Sequence, residues 1–243
     1  MITPKMKIEV WTDIMCPYCY IGKIHYDRAL SQFEHADEVQ LTIKSFQLST
    51  DLPGKGQGYP VIDYLVNKAG YPKDNINKMF DSIEKLASSA GVKCNVRNSV
   101  AANTLDAHRL IKLAATIGAE SKANSLISKA YFEEAKDYSD IELLVSIGVE
   151  VGLKENEIRE MLDSDKYKNE VSMDIKEAHS LNIDTVPTFL FERKYAIVGS
   201  EPVSSFLNTL RKAYNDWKSS NEELSNIEIT KGKSCSADGV CEI

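Results

Sequence analysis

Several large classes of protein are excluded by what the 243-residue sequence does not contain. No apolar run is long enough to cross a membrane, and there is neither an internal repeat nor a low-complexity tract. Lysine and arginine number 29 against 36 aspartates and glutamates, so the net charge is −7. No cluster of basic residues stands out that would bind nucleic acid. The contents of 43% hydrophobic and 27% charged residues are ordinary for a globular protein. We therefore expect a globular protein that binds neither nucleic acid nor a membrane.

Cysteine is also scarce, with five in the whole chain. The first residues lead into a predicted strand without the apolar segment of a signal peptide, so we expect a cytoplasmic protein. In a reducing compartment, so few cysteines do not predict a framework of structural disulfides. Cys94 stands alone and is expected to be a small, half-buried residue without a catalytic role.

Two of the cysteines form a C-x-x-C pair at a junction that favours reactivity. Cys16 and Cys19 lie between a predicted strand at 6–12 and a predicted helix at 18–33, with Pro17 at the first helical position. This spacing places Cys16 at the helix cap and Cys19 one turn later on the same side. The positive end of the helix dipole and the free backbone N–H groups stabilise a thiolate at that cap.

The pattern predicts thiol–disulfide exchange through two cysteines with different roles. We expect Cys16 to be exposed and to attack, and Cys19 to be shielded and to resolve the mixed disulfide. Pro17 and Tyr18 tune the pair, because they determine how many N–H groups face the thiolate. Asp13, three positions before Cys16, is expected to brace the loop through backbone N–H groups, or else to influence the proton of Cys19.

Strand patterns lie at the two ends of the chain. A second strand at 39–48, with a bulge near 44–45, completes a βαβ unit with a parallel pair. Residues 50–60 are rich in glycine and proline and mark a boundary. Strand character returns in a hairpin at 188–198, and a last amphipathic helix begins at Pro202.

The long middle segment has no strand pattern and predicts seven helices, with N-caps at Asn103 and Asp140. The helices are predicted at 61–69, 73–90, 103–117, 121–136, 140–151, 155–163 and 167–181. This order of elements indicates an α/β fold, the thioredoxin fold with a large all-helical insertion. We divide the chain into a discontinuous thioredoxin domain (1–60 and 183–218), the insertion (61–182) and a flexible tail (219–243).

The chain resembles the DsbA-like thioredoxin family, and within it the FrnE-like cytoplasmic subfamily. The resemblance runs to about residue 217 and is carried by Asp13, Cys16-Pro17-Tyr18-Cys19, Tyr20, Gly22, Asn103, Ala107-His108-Arg109, Val186-Pro187-Thr188-Phe189 and Val198-Gly199. Thr185 departs from the family's pattern, which has glycine before the Val-Pro pair. The resemblance implies a DsbA-like fold and protein thiol–disulfide oxidoreductase or isomerase activity. It implies no cofactor other than the redox-active Cys16–Cys19 disulfide.

The resemblance also gives Pro187 a role. In a thioredoxin fold the equivalent proline is cis and faces the cysteine pair. Val186 would then offer its backbone N–H and C=O groups to an extended substrate strand. The plainer alternative is a proline that only begins a strand, where it does not have to donate a ladder hydrogen bond.

His108 and the C-terminal cysteines each leave two interpretations open. His108 is either a hydrogen-bonded packing residue of a helix or part of a groove over the C-x-x-C pair. Cys235 and Cys241 are either idle thiols or an auxiliary redox dithiol, such as FrnE-like proteins often carry. Together with the C-x-x-C pair they would also supply four zinc ligands. That alternative is weaker, because it puts Pro17 and a helix start inside the ligand loop.

Two other functions compete with thiol–disulfide exchange. One is a glutathione-dependent transferase or isomerase of the kappa and hydroxychromene-carboxylate type, a class that typically has serine where Cys16 stands. The other is a non-enzymatic holdase or metal-binding module. The favoured function predicts protein or peptide thiols and disulfides as partners, with glutathione or a thioredoxin-type system as further partners. We expect a monomer or a weak homodimer, and no bound metal.

Overall fold

The computed structural model describes residues 4–225 and has a four-stranded sheet at its centre, in the order β2-β1-β5-β6. The elements are β1 (Met6–Thr12), α1 (Pro17–Ser31), β2 (Val39–Ser45), β3 (Tyr59–Pro60), α2 (Val61–Asn67), α3 (Lys73–Ser89), β4 (Val100–Ala101), α4 (Leu105–Ala115), α5 (Glu120–Phe132), α6 (Ile141–Glu150), α7 (Glu155–Leu162), α8 (Lys168–Ser180), β5 (Thr188–Phe191), β6 (Tyr195–Val198) and α9 (Val203–Ser225).

The sheet confirms the predicted βαβ unit and hairpin. Strands β1 and β2 are parallel along their full length and are joined by α1. Strand β5 pairs antiparallel with β1, with Trp11 opposite Thr188, and β6 pairs antiparallel with β5. Because β1 ends where β5 begins, the loop after β1 and the Val186–Pro187 segment before β5 lie at the same edge of the sheet.

The helical insertion follows its amphipathic pattern closely. Each of α2 to α8 lies within its predicted range or extends one residue beyond it. Asp140 is the predicted N-cap of α6, and its carboxylate accepts hydrogen bonds from the N–H groups of Glu142 and Leu143. Asn103 is not the N-cap of α4, since that position is taken by Thr104, but its side chain accepts from the Leu105 N–H.

Three boundaries differ from the prediction. Strand β2 ends at Ser45, so the predicted continuation to residue 48 with a bulge is wrong. The prediction that the middle segment lacks strands is also wrong, because β3 and β4 form a small antiparallel pair. Helix α9 continues to Ser225, past the predicted start of the tail at residue 219. Cys235 and Cys241 lie outside the described residues.

The largest hydrophobic core joins the sheet to the inserted helices. It includes Val10 and Ile43 of the sheet together with Leu110 of α4 and Phe132 of α5. On the α1 and α9 side, the ring of Tyr26 stacks on Phe189 of β5. Within the described residues, no helix is long and apolar enough to cross a membrane.

Candidate active site

The sequence folds Cys16 into the cap of α1, as the position of the proline predicts. Cys16 has an extended backbone conformation, and Pro17 takes the first helical position. The Cys16 N–H donates to the Asp13 carbonyl at 3.1 Å, which closes the loop after β1. The Cys16 carbonyl accepts from the Cys19 N–H at 3.1 Å, which begins the helix. The two thiols therefore lie at the junction of β1 and α1, with no disulfide bond between them.

The expected difference in exposure between the two cysteines is wrong. Cys16 is only 5% exposed and Cys19 3% exposed. Both pack in a small apolar cluster with Trp11 of β1, Phe46 after β2 and Val186 before β5. Phe46 and Val186 come from distant parts of the chain, and together with Trp11 they bury the two cysteines. Cys16 nevertheless lines an open cavity, whereas Cys19 does not.

The environment separates the acidities of the two thiols. The hydrogen bond from the Cys19 thiol lowers the pKa of Cys16 below its ordinary value, with help from the backbone N–H groups of Cys19 and Tyr18. Burial and the negative charge of Asp13 oppose that lowering of the Cys16 pKa. Burial raises the pKa of Cys19 well above its ordinary value, and its contact with Cys16 adds to the rise. Cys16 is therefore the more acidic thiol of the pair, and Cys19 is the thiol that keeps its proton.

Replacing Cys19 with alanine should raise the pKa of Cys16, because it removes the strongest of the hydrogen bonds to the Cys16 sulfur. Cys19→Ser is the matched variant, since its hydroxyl still donates at that position. Ultraviolet absorbance of the thiolate as a function of pH measures the effect. The alanine variant is expected to ionise at higher pH than the serine variant. Equal titration curves for the two would show that Cys19 does not acidify Cys16.

Val186 and Pro187 face the cysteine pair from the segment just before β5. The Val186–Pro187 peptide bond is cis, as the resemblance implies. The Cys16 thiol lies 3.7 Å from the Val186 carbonyl oxygen and donates to it. Gly22 of α1 permits this approach, because a Cβ there would lie 3.1 Å from the ring of Pro187. Binding of a substrate strand to Val186 stays a prediction.

Asp13 and His108 form a fully buried pair behind the cysteines. Asp13 Oδ1 lies 3.3 Å from His108 Nε2, and both side chains are completely inaccessible. Asp13 Oδ2 accepts from the Leu48 N–H at 2.7 Å, so the carboxylate braces the segment after β2 rather than its own loop. His108 does not line the cavity at Cys16, so the alternative that placed it in a groove over the cysteine pair is wrong; it is a hydrogen-bonded packing residue of the core.

An apolar cavity of about 360 Å³ opens beside Cys16. One wall comes from Met15 in the loop before α1 and Tyr18 in the first turn of α1, and the other from the inserted helices α2 and α3, with Tyr64 and Phe80. Apart from Tyr18, these lining residues were not predicted as part of the site, although the apolar face of α3 was visible in the pattern. Tyr18 is 42% exposed at the rim, which places it between the cavity and solvent.

The other candidate residues do not join this site. Cys94 is half-buried, and burial raises the pKa of its thiol, which fits the expectation of no catalytic role. Among residues 4–225 no three His, Cys, Asp or Glu side chains group closely enough to hold a metal ion. The zinc alternative also needs Cys235 and Cys241, which lie outside that range.

Three solved structures with the same overall fold are similar to this chain. A probable DsbA oxidoreductase from Streptomyces coelicolor is 30% identical, with a TM-score of 0.81 and coverage of 98% of this chain and 99% of that one. A 2-hydroxychromene-2-carboxylate isomerase is 12% identical, with a TM-score of 0.64 and coverage of 90% and 99%. The cytosolic disulfide reductase DsbM from Pseudomonas aeruginosa with GSH is 14% identical, with a TM-score of 0.57 and coverage of 89% and 99%.

The last two likenesses are below a quarter identity and show the shared fold alone. The match to a protein family is more direct, because residues 7–211 match the DSBA-like thioredoxin domain. That span includes both cysteines, the Asp13–His108 pair and the cis proline. The chain therefore belongs to the DsbA-like thioredoxin family, and its fold is the thioredoxin fold with a helical insertion.

Proposed function

We propose that this protein is a thiol–disulfide oxidoreductase that exchanges disulfides with protein or peptide substrates through Cys16 and Cys19. The observation that carries the proposal is the pair itself: an acidified thiol at a helix cap, hydrogen-bonded to a second thiol that stays protonated. This difference in acidity suits the two roles, because the nucleophile has to ionise readily and the resolving thiol has to wait until the mixed disulfide has formed.

The exchange runs in two balanced steps. In the reducing direction the Cys16 thiolate attacks a substrate disulfide, forms a mixed disulfide and releases one substrate thiolate. Cys19 then loses its proton and attacks the Cys16 sulfur, which releases the second substrate thiolate and leaves the Cys16–Cys19 disulfide. In the oxidising direction the same steps run backwards, with a substrate thiolate attacking the Cys16 sulfur first.

The surroundings of Cys16 favour a peptide-like substrate. The cavity beside the thiol is lined mainly by apolar and aromatic side chains, which suit the apolar side chains of an unfolded or extended segment. Leu48 at its rim is 51% exposed and adds apolar surface. The carbonyl of Val186, which now accepts from the Cys16 thiol, lies where a substrate strand would pass.

We favour glutathione as the electron donor and the cytoplasm as the compartment in which the protein works. DsbM, a cytosolic disulfide reductase whose structure was solved with GSH, shares this fold. A glutathione-dependent isomerase is the less favoured function, although a hydroxychromene-carboxylate isomerase also shares the fold. A resolving thiol poised against the nucleophile, as Cys19 is here, serves exchange and has no use in such an isomerisation.

The Cys19→Ser variant tests the proposal. It keeps the Cys16 nucleophile but removes the resolving thiol. Incubation with insulin whose disulfides are intact should therefore accumulate a mixed disulfide. Intact mass should increase by one insulin chain or by insulin, and peptide mapping should place the adduct on Cys16. The double variant Cys16→Ser/Cys19→Ser is the matched control and should form no such adduct. An adduct that forms equally well in the double variant would refute the assignment of Cys16.

A further inference from the structure

The two sulfur atoms of the cysteine pair take their hydrogen bonds from different parts of the chain. At Cys16 the donors are the Cys19 thiol and the N–H groups of Cys19 and Tyr18 in the first turn of α1. The Cys19 sulfur lies one turn further into the helix, where the N–H groups of Cys19 and Tyr20 donate to the Cys16 carbonyl. A charge that forms on the Cys19 sulfur therefore needs donors from outside the helix.

The end of β1 supplies two such donors. The backbone N–H of Asp13 donates to the Cys19 sulfur at 3.5 Å. Thr12, the residue before it, is buried, and its hydroxyl also makes a hydrogen bond with the Cys19 sulfur. Both contacts lower the pKa of Cys19, against the larger effect of burial, which raises it. Two consecutive residues therefore present two donors to the resolving sulfur.

Both donor residues are held in place by β2 and the segment that follows it. The Thr12 carbonyl accepts from the Phe46 N–H at 3.0 Å, and the Asp13 carboxylate accepts from the Leu48 N–H at 2.7 Å. The Asp13 carbonyl also accepts from the Cys16 N–H at 3.1 Å. Donors that are fixed in this way do not have to reorient when charge develops on the atom they face, so they stabilise that charge efficiently.

Resolution of the mixed disulfide puts a negative charge on the Cys19 sulfur. Cys19 is 3% exposed, and a buried charge without hydrogen bonds is costly. A Cys16 sulfur that is bonded to substrate has no proton to donate, so the Thr12 hydroxyl and the Asp13 N–H remain as donors to Cys19. A hydrogen bond to a charged acceptor is stronger than one to a neutral acceptor. The two donors therefore favour the Cys19 thiolate over the thiol.

We propose that Thr12 is a catalytic residue whose hydroxyl, together with the Asp13 N–H, stabilises the Cys19 thiolate in both directions of the exchange. The inference rests on the proposed function and deepens it. In the reducing direction Cys19 loses its proton to solvent and attacks the Cys16 sulfur. The Cys16–Cys19 bond forms, the Cys16–substrate bond breaks, and the substrate leaves as a thiolate. In the oxidising direction Cys19 is itself the leaving thiolate and then takes a proton from solvent. Thr12 keeps its own proton throughout.

Two variants of Thr12 in the full-length protein, with the three cysteines outside the pair changed to serine, separate the hydroxyl from the rest of the side chain. Thr12→Val removes the hydroxyl and keeps the branched shape, while Thr12→Ser keeps the hydroxyl and is the matched control. One equivalent of Ellman's reagent releases thionitrobenzoate in two phases, first by attack of Cys16 and then by attack of Cys19 on the Cys16 adduct. Reduction of the Cys16–Cys19 disulfide by dithiothreitol measures the opposite direction.

Thr12→Val should slow the second phase and the reduction by dithiothreitol alike, by about threefold to tenfold at neutral pH. Loss of a hydrogen bond to a charged group lowers the thiolate fraction by about tenfold to a hundredfold. The more basic thiolate recovers about half of that loss, on a logarithmic scale, through its greater nucleophilicity. The reduction potential at neutral pH should not change, because the Cys19 thiol and the disulfide are both uncharged. Thr12→Ser should keep both rates, and the first phase should be the same in all three proteins.

An unchanged second phase in Thr12→Val would overturn the inference, and so would a slower phase accompanied by a shifted potential, which indicates a displaced cysteine pair. A first phase that does not need Cys16 would instead overturn the proposed function. Nuclear magnetic resonance of the unmodified reduced protein gives an answer even where Thr12→Val does not fold. The Thr12 hydroxyl proton should exchange slowly with water and show a nuclear Overhauser effect to the β-protons of Cys19, and its absence would overturn the inference.

Discussion

Replacing Cys16 with serine should reduce the catalysed reduction of insulin to the rate of dithiothreitol alone. A serine hydroxyl at the same helix cap stays protonated at neutral pH and cannot form a disulfide with the substrate. The remaining thiol of the pair cannot substitute for it. Cys19 does not line the cavity, and burial raises its pKa well above the ordinary value. Turbidity from the precipitating insulin chains measures the rate.

Cys94→Ser is the matched control for this loss. Cys94 is the other described cysteine, it is half-buried, and the raised pKa of its thiol keeps it a poor nucleophile. Its replacement should leave the rate of insulin reduction unchanged. If Cys94→Ser lost activity and Cys16→Ser kept it, the reacting thiol would be Cys94 and the assignment of Cys16 would be wrong. Circular dichroism of both variants checks that each has kept its fold.

The fold could be predicted in most of its elements because its signals are local. Alternation marks β1 and the hairpin, and Pro17 marks the first turn of α1. The small β3–β4 pair could not be predicted, because two residues carry no periodicity and one of them is Pro60. The end of α9 was missed for a related reason: its last turns are polar and lack an apolar face that would distinguish a helix from a tail.

The site could be predicted as a set of residues but not as an environment. The cysteine pair and the cis proline follow from spacing and resemblance. The burial of Cys16 does not, because Phe46 and Val186, which cover it, come from other elements. The contact between Asp13 and His108 spans 95 positions and exists only once α4 packs against the sheet. Charge partners of this kind are a product of tertiary structure, and a single sequence does not display them.

Replacing Arg109 with methionine should destabilise the protein by about 3–5 kcal/mol, the usual cost of removing one member of a buried charged network. Arg109 is 1% exposed, and its guanidinium donates to the carbonyl of Lys166 at 2.7 Å and to Asp106 at 2.7 Å. It also donates to the carbonyl groups of Met161 and Ser164. Methionine fills a similar volume but leaves those acceptors unpaired. Chemical denaturation measured by circular dichroism gives the free energy of unfolding.

Arg159→Met is the matched control. Arg159 also makes several hydrogen bonds, to Glu142 and Glu155, but it does so at the surface, where water replaces a lost partner. Its replacement should barely change the free energy of unfolding. Equal losses for the two variants would contradict the importance of burial at Arg109.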